Sequence, residues 1–233
     1  MILYAIPTPL GASPADGLPF PVLEQVRAIR DFVVENAKSA RAFLAAVGMP
    51  VSVREVGIRE ITDNPEDLLQ PLREGRPLGL LSEAGCPAIA DPGAALVEAA
   101  HREGFRVVPL VGPSSIVLAL MASGLEGQRF AFCGYLPREP RERAERIGEL
   151  ETRSRREKET QIFIETPYRS DALLAALVEA CSPGTRLCVA ADLTLPTESI
   201  ATRAISEWKK GKAAIGRRPA VFLLLADHPA RGA

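Results

Sequence analysis

Four segments combine glycine, proline and small polar residues with isolated acids or bases, the mixture from which a ligand site is built. They are Pro7-Thr8-Pro9-Leu10-Gly11, the run SEAGCPAIADPG from Ser82 to Gly93, Val111-Gly112-Pro113-Ser114-Ser115, and Glu165-Thr166-Pro167-Tyr168-Arg169. Small residues let a ligand lie directly against backbone amides and carbonyls. Ser114 is a candidate N-cap, and the free N–H groups behind it suit a ligand carboxylate. Each segment alone also reads as a tight turn, and their recurrence within one chain favours a site. The chain contains no GxxxxGK[ST], GxGxxG or GxSxG run, which removes the phosphate cradle, the dinucleotide fingerprint and the nucleophile elbow. His101 and His228 are the only histidines, so a histidine metal cluster is excluded and imidazole acid–base chemistry is not expected. Cys86, Cys133, Cys181 and Cys188 form no CxxC pair and have no nearby histidine, which fits neither a zinc site nor a disulfide framework.

Each segment follows a predicted strand: Ile2–Ile6, Leu78–Ser82, Arg106–Pro109 and Gln161–Glu165 are short apolar runs stopped by turn residues. Further strands are predicted over Phe32–Val34, Val51–Ile61, Phe130–Cys133, Arg186–Ala191 and Ala220–Leu225. Helical spacing marks Val22–Arg30, Ala37–Val47, Pro65–Arg73 with Asn64 as its N-cap, Ala94–Arg102 and Ser114–Ala122. Arg138–Glu159, Ser170–Ala180 and Ile205–Lys210 follow in the second half. This alternation predicts an α/β fold with largely parallel sheets. The strands are too many for one small sheet, and a break near Gly112–Pro113 gives two α/β domains, 1–113 and 114–233, with a ligand cleft between them. Open α/β sheets bind ligands beyond the carboxyl ends of their strands, so the residues alone lead to a small-molecule pocket and no further.

Composition narrows the partners. The chain is 47% apolar and 24% charged, with 28 Lys and Arg against 29 Asp and Glu, which is globular and gives no bulk charge for nucleic acid. Arg138–Glu159 holds eight basic and seven acidic residues, whose interleaved signs suit i,i+4 pairing on a solvated face. Apolar runs around Ile116–Ala122 and Val221–Ala226 fall short of the ~20 residues of a membrane helix. A cytoplasmic, reduced, metal-free protein with no membrane contact is expected.

The runs SEAGCPAIADPGAALVEAAHREGFRVVPLVGPSS and GLEGQRFAFCGYLP, within Leu80–Leu136, resemble the tetrapyrrole methylase superfamily of S-adenosylmethionine-dependent methyltransferases. Within it the chain is most similar to the bacterial ribosomal RNA 2′-O-ribose methyltransferases. ETPYR at Glu165–Arg169 and ADLTLPTESI at 191–200 extend the likeness along nearly the whole chain. The resemblance implies two α/β domains, a homodimer, and S-adenosylmethionine as the cofactor in the cleft. It also implies a donor pocket drawing on Leu10, Ala84, Cys86, Ile89, Ser115, Ile116, Ile164, Thr166, Pro219 and Ala220. Many relatives carry aspartate where Cys86 stands; the RNA branch also lacks it.

Two stretches depart from that branch. Gly11-Ala12-Ser13-Pro14-Ala15-Asp16 replaces Gly-Asn-Leu-Glu-Asp-Ile, with a proline-rich insertion, and Glu35-Asn36-Ala37-Lys38 replaces Glu-Asp-Thr-Arg. Lysine does not reproduce the planar fork of arginine, and a lost carboxylate removes a possible base. Methyl transfer asks mainly for in-line positioning, while a ribose hydroxyl gains from a base or cation. Glu35, Lys38, Glu165 and Arg169 are the candidate catalytic residues, with Glu83 beside them, and Glu165 with Arg169 reads equally as a structural ion pair. RNA is the favoured acceptor, met by Arg54, Arg59, Arg138, Arg141 and a denser group of Lys209, Lys210, Lys212, Arg217 and Arg218. A tetrapyrrole or other small acceptor, or a donor-binding protein that has lost catalysis, are the alternatives.

Overall fold

The computed structural model describes residues 1–211 and 214–227, and Lys212 and His228 therefore lie outside the described residues. The chain divides into two compact units, Met1–Ser114 and Ser115–Ala233.

In the first unit β1 (Ile2–Ile6), β2 (Asp31–Val34), β3 (Gly57–Glu60), β4 (Leu78–Leu81) and β5 (Arg106–Pro109) form one sheet, ordered β3-β2-β4-β1-β5. Every pairing is parallel. Such a sheet is buried on both faces, and its strands read as near-continuous apolar runs; LGLL of β4 is buried at all four positions. Alternate side chains divide between two cores. Ile6, Phe32, Val34 and Leu81 pack under α2 (Phe20–Ala28) and α3 (Ala37–Val47). Leu3, Val33, Leu78 and Leu80 pack with the 3₁₀ turn Pro65–Leu69, α4 (Gln70–Arg73) and α5 (Ala94–Arg102). The chain leaves β1 toward one face and leaves the adjacent β4 toward the other. That reversal opens a crevice at the carboxyl ends of β1 and β4, where doubly wound sheets bind ligands.

The second unit opens with α6 (Ser115–Ser123). Its sheet of β6 (Phe130–Tyr135), β7 (Thr160–Glu165), β8 (Arg186–Ala191), β9 (Ser199–Ala204) and β10 (Ala220–Leu225) is ordered β6-β7-β10-β8-β9. On one face Phe163, Leu187 and Phe222 share a core with α7 (Pro140–Glu157), α8 (Ser170–Ala180) and α9 (Ile205–Trp208). The Phe163 and Phe222 rings stack there with centroids 5.9 Å apart, the offset geometry aromatic pairs favour. On the other face α6 packs against β8, β9 and β10, and the Thr202 hydroxyl donates to the Ser123 carbonyl at 2.7 Å.

The α/β class holds, but the expectation of largely parallel sheets holds only for the first unit. In the second, β6 and β7 are parallel, whereas β7–β10, β10–β8 and β8–β9 are antiparallel. Two of these pairings belong to β10, and the third to β9, a strand the sequence did not signal. It returns from β8 through a short turn, held by Leu195 N–H to Asp192 C=O and Glu198 N–H to Leu195 C=O, both 2.9 Å. Short connections join antiparallel neighbours, and an edge strand reading SIATRA lacks the apolar run of a central one. Val51–Ile61 resolves into a 3₁₀ turn, Val53–Glu55, followed by β3. The proline-rich insertion holds α1 (Pro14–Gly17), capped by the Ser13 hydroxyl. Asn64 makes no side-chain cap; its amide donates to Asp67 instead at 2.7 Å. Helix α6 begins at Ser115 rather than Ser114. The charged helix α7 carries the expected i,i+4 pairs, Arg141 with Glu145 and Glu151 with Arg155, and an i,i+3 pair, Arg146 with Glu149.

Candidate functional site

Three of the four segments meet at the crevice of the first unit. Thr8 and Gly85 exchange backbone hydrogen bonds, Thr8 N–H to Gly85 C=O at 2.8 Å and the reverse at 3.0 Å. The Thr8 hydroxyl donates to the Ser82 carbonyl at 3.3 Å, and the Ser82 hydroxyl donates to the Gly85 carbonyl at 3.2 Å. Gly85 has φ +80° and faces the Leu10 side chain, so an added Cβ would lie 3.3 Å from Leu10 Cδ2. Only glycine adopts that backbone without strain. The Cys86 thiol donates to the Pro113 carbonyl at 3.5 Å, tying the second segment to the third. Ala88 and Ala90 both hold φ of +64°, the left-handed region that non-glycine residues enter at a cost. The loop folds back through Ala88 N–H to Pro92 C=O and leaves Ile89 half exposed. Leu10, Ala84, Cys86 and Ile89 therefore share one rim, built from strained loops cross-linked by short polar bonds.

Carboxylates ring this rim. The Glu35 amide donates to the Leu81 carbonyl at 3.2 Å, and the Glu35 carboxylate accepts from the Glu83 amide at 3.2 Å. Asp91 stands beside them, a residue sequence reasoning passed over although it lies in the ADPG run; an acid among small apolar residues was the signal. Burial pushes the Asp91 carboxyl from 3.8 up to about 6, the Glu35 and Glu83 charges reinforce it, and a Ser82 hydrogen bond opposes it. Burial, with the Asp91 charge, also pushes the Cys86 thiol up. Asn36 caps α3, accepting from the amides of Lys38 at 2.9 Å and Ser39 at 3.2 Å. Asparagine and aspartate cap about equally well, which gives the exchange at this position a local reason. Lys38 lies exposed in the first turn of α3.

The raised Asp91 value fixes the sign of a pH effect. Between pH 3.8 and about 6 the native state holds this proton more tightly than the unfolded state, so stability falls as pH rises. Below that window the acid is neutral in both states and carries no penalty. Asp91→Asn should therefore raise the urea midpoint at pH 7.5 and leave it nearly unchanged at pH 3.5. Equal midpoint shifts at both pH values would contradict this.

The fourth segment lies in the second unit. Register pairs Ala220 with Glu165 and Val221 with Ile164, so Ile164, Thr166, Pro219 and Ala220 gather at one end of the β7–β10 ladder. Glu165, its side chain only 1% exposed, pairs with Arg169 at 2.5 Å. The same Glu165 oxygen accepts from the Thr166 amide at 2.6 Å, and Arg169 Nε donates to the Thr166 hydroxyl at 3.3 Å. Ser115 and Ile116 open α6, with Ile116 buried. Of the basic residues, Arg59 is committed to the Asp67 and Leu68 carbonyls and Arg218 to Ile215 and Ser199. Lys209 and Lys210 stay exposed. Among the described residues, no group of His, Cys, Asp or Glu could hold a metal ion, and no helix is long and apolar enough to cross a membrane.

Known proteins share this framework. The structure superposes on the methyltransferase CobJ with a TM-score of 0.61 at 19% identity, covering 100% of this chain and 96% of the other. Uroporphyrin-III-C-methyltransferase from Thermus thermophilus gives 0.55 at 20% identity, covering 96% and 94%. These likenesses establish the fold. In sequence, the chain is 31% identical to ribosomal RNA small subunit methyltransferase I of Neisseria meningitidis serogroup B, over 98% of this chain and 76% of the relative. It is 31% identical to the Escherichia coli O157:H7 protein of that name, over 98% and 79%. The Bacillus subtilis protein is 30% identical over 88% and 68%. The model of the Tetrapyrrole (Corrin/Porphyrin) Methylases matches residues 22–208, a span that takes in the crevice loops 82–93 and 111–115 and the Glu165–Arg169 turn, and the chain belongs to that methyltransferase family.

Proposed function

We propose that the protein transfers the methyl group of S-adenosylmethionine to ribosomal RNA, at a ribose 2′-hydroxyl, acting as a homodimer. The observation that carries the acceptor is the similarity, at 31% identity over 98% of the chain, to small-subunit ribosomal RNA methyltransferases. The donor assignment rests on the family and on the fit of the crevice. The Thr8–Gly85 pairing holds its two loops together, Leu10 and Ile89 offer apolar contact, and the Glu35, Glu83 and Asp91 carboxylates suit a cationic ligand.

The donor supplies a methyl carbon already electrophilic beside its sulfonium, so the protein's work is alignment. Leu10, Ala84, Cys86 and Ile89 on the first unit, and Ser115, Ile116, Ile164, Thr166, Pro219 and Ala220 on the second, are the proposed donor contacts. Glu35 and Lys38 are the proposed groups nearest the reacting hydroxyl, one to take its proton and one to hold the developing oxyanion. Glu165 and Arg169 shape the turn that carries Thr166.

Mass spectrometry of ribosomal RNA from a strain lacking the protein tests the reading. One ribose methylation of small-subunit RNA should disappear and return on complementation. An unchanged set of ribose methylations, with radiolabelled methyl groups passing to a non-RNA fraction of the extract, would contradict it.

A further inference from the structure

We propose that Tyr168 and Arg217 form a preorganised platform on which an unpaired base of the RNA acceptor stacks; this rests on the RNA reading above and names the group that holds the base. Tyr168 is 80% exposed, and the Arg217 guanidinium lies over its ring, 5.3 Å from the centroid. An aromatic ring that exposed gains little from burial, so hydrophobic packing does not account for its placement.

The turns on both sides of the pair are held by internal bonds. The Tyr168 turn is fixed from below by the Glu165–Arg169 ion pair and by the Thr166 amide donating to Glu165. The Arg217 turn is fixed from the other side. The Asp171 carboxylate accepts from the amides of Ile215 at 2.6 Å and Gly216 at 3.2 Å, and Arg218 Nε donates to the Ile215 carbonyl at 2.8 Å. Neighbouring Arg169 and Arg218 are thus consumed by internal bonds. Arg217 has no carboxylate partner among the described residues, and neither has the Tyr168 hydroxyl a hydrogen-bond partner there. Both turns are also tied to the ladder end that carries Ile164, Thr166, Pro219 and Ala220.

The chemistry of the pair selects its ligand. A flat ring and a planar cation present π-faces that take any nucleobase, and the free guanidinium charge meets the adjoining phosphate. A duplex hides its base faces, so the platform takes a single-stranded or flipped-out nucleotide. Methylating a ribose hydroxyl requires the target nucleotide to be held against the donor site, and a stacked base next to Thr166 does that.

The test compares a single-stranded RNA of about 12 nucleotides with an abasic oligomer of the same length and charge, each titrated by fluorescence anisotropy. Wild type should prefer the base-bearing strand. Tyr168→Ala should lose about five- to a hundredfold in that affinity, with the abasic affinity and donor affinity by calorimetry unchanged. Tyr168→Phe should restore the preference, because it keeps the ring. Arg217→Ala should weaken both strands and shallow the salt dependence. A Tyr168→Ala protein that binds donor and keeps the wild-type ratio of the two affinities overturns the platform. So does a wild-type protein without base preference, even where it methylates ribosomal RNA. Base-selective binding without any transfer to ribosomal RNA would leave the platform standing and overturn the acceptor reading instead.

Discussion

Gly112→Ala should lower affinity for S-adenosylmethionine at least tenfold and depress the melting temperature. Gly112 lies where the third segment crosses the first. A Cβ there would fall inside the Pro7 ring contact, 2.5 Å from Pro7 Cβ, and 3.1 Å from Leu18 Cδ2. Neither neighbour yields easily. Pro7 is buried in a rigid ring between β1 and Thr8, and the strand beside Gly112 is pinned by the Leu110 amide donating to the Ala5 carbonyl at 2.9 Å. Leu18 is a buried core residue. Overpacking of this kind costs about 1–3 kcal/mol, and relief comes only by moving the loop of residues 7–11 or that of 111–115. The first carries Leu10 and the second leads to Ser115, both proposed donor contacts. Displacement of either withdraws its donor contact, and a shift of about 1 Å can also cost a hundredfold in rate where catalysis rests on positioning. Calorimetric titration with S-adenosylmethionine, together with a thermal melt, checks the expectation. Wild-type donor affinity in a folded Gly112→Ala protein would show that this crossing does not shape the site.

The sequence carried most of the first unit, because parallel strands buried on both faces leave an unbroken apolar signature. ILYAI, DFVV and LGLL could be read directly, and so could the loops behind them, since glycine and proline punctuate each strand end. What escaped was set by tertiary contacts. SIATRA at 199–204 forms an edge strand with one neighbour, so half its side chains face solvent and no run of apolar residues marks it. Proline and polar residues at 192–198 read equally as loop or turn, and the antiparallel pairing of β8 with β9 follows from that turn. The site behaved in the same way. Residue types pointed to the loops, whereas the pairing of Thr8 with Gly85, and the gathering of Glu35 and Glu83 about Asp91, depend on strands distant in sequence closing side by side.

Removing Glu165 should produce the largest loss of stability in the second unit, and the pattern across variants separates positioning from proton transfer. The Glu165 side chain is 1% exposed, and one of its oxygens binds both the Arg169 guanidinium and the Thr166 amide. Glu165→Ala leaves a guanidinium that is 27% exposed, and a backbone N–H, without their acceptor. Breaking one side of a buried pair costs about 3–5 kcal/mol; the partial exposure of Arg169 puts this case at the lower end. Glu165→Gln keeps an acceptor for Thr166 while losing the charge, so it should be less damaging. An acceptor hydroxyl has no open route to a carboxylate so enclosed, which argues that Glu165 holds Thr166 and Arg169 in place and does not take the proton. Positioning predicts that Glu165→Ala and Arg169→Ala both raise the KM for S-adenosylmethionine and lower the melting temperature. It also predicts that Glu165→Gln retains much of kcat with an unaltered pH–rate profile. A Glu165→Gln protein with wild-type donor affinity and no measurable kcat, beside an active Arg169→Ala protein, would instead make this carboxylate the base.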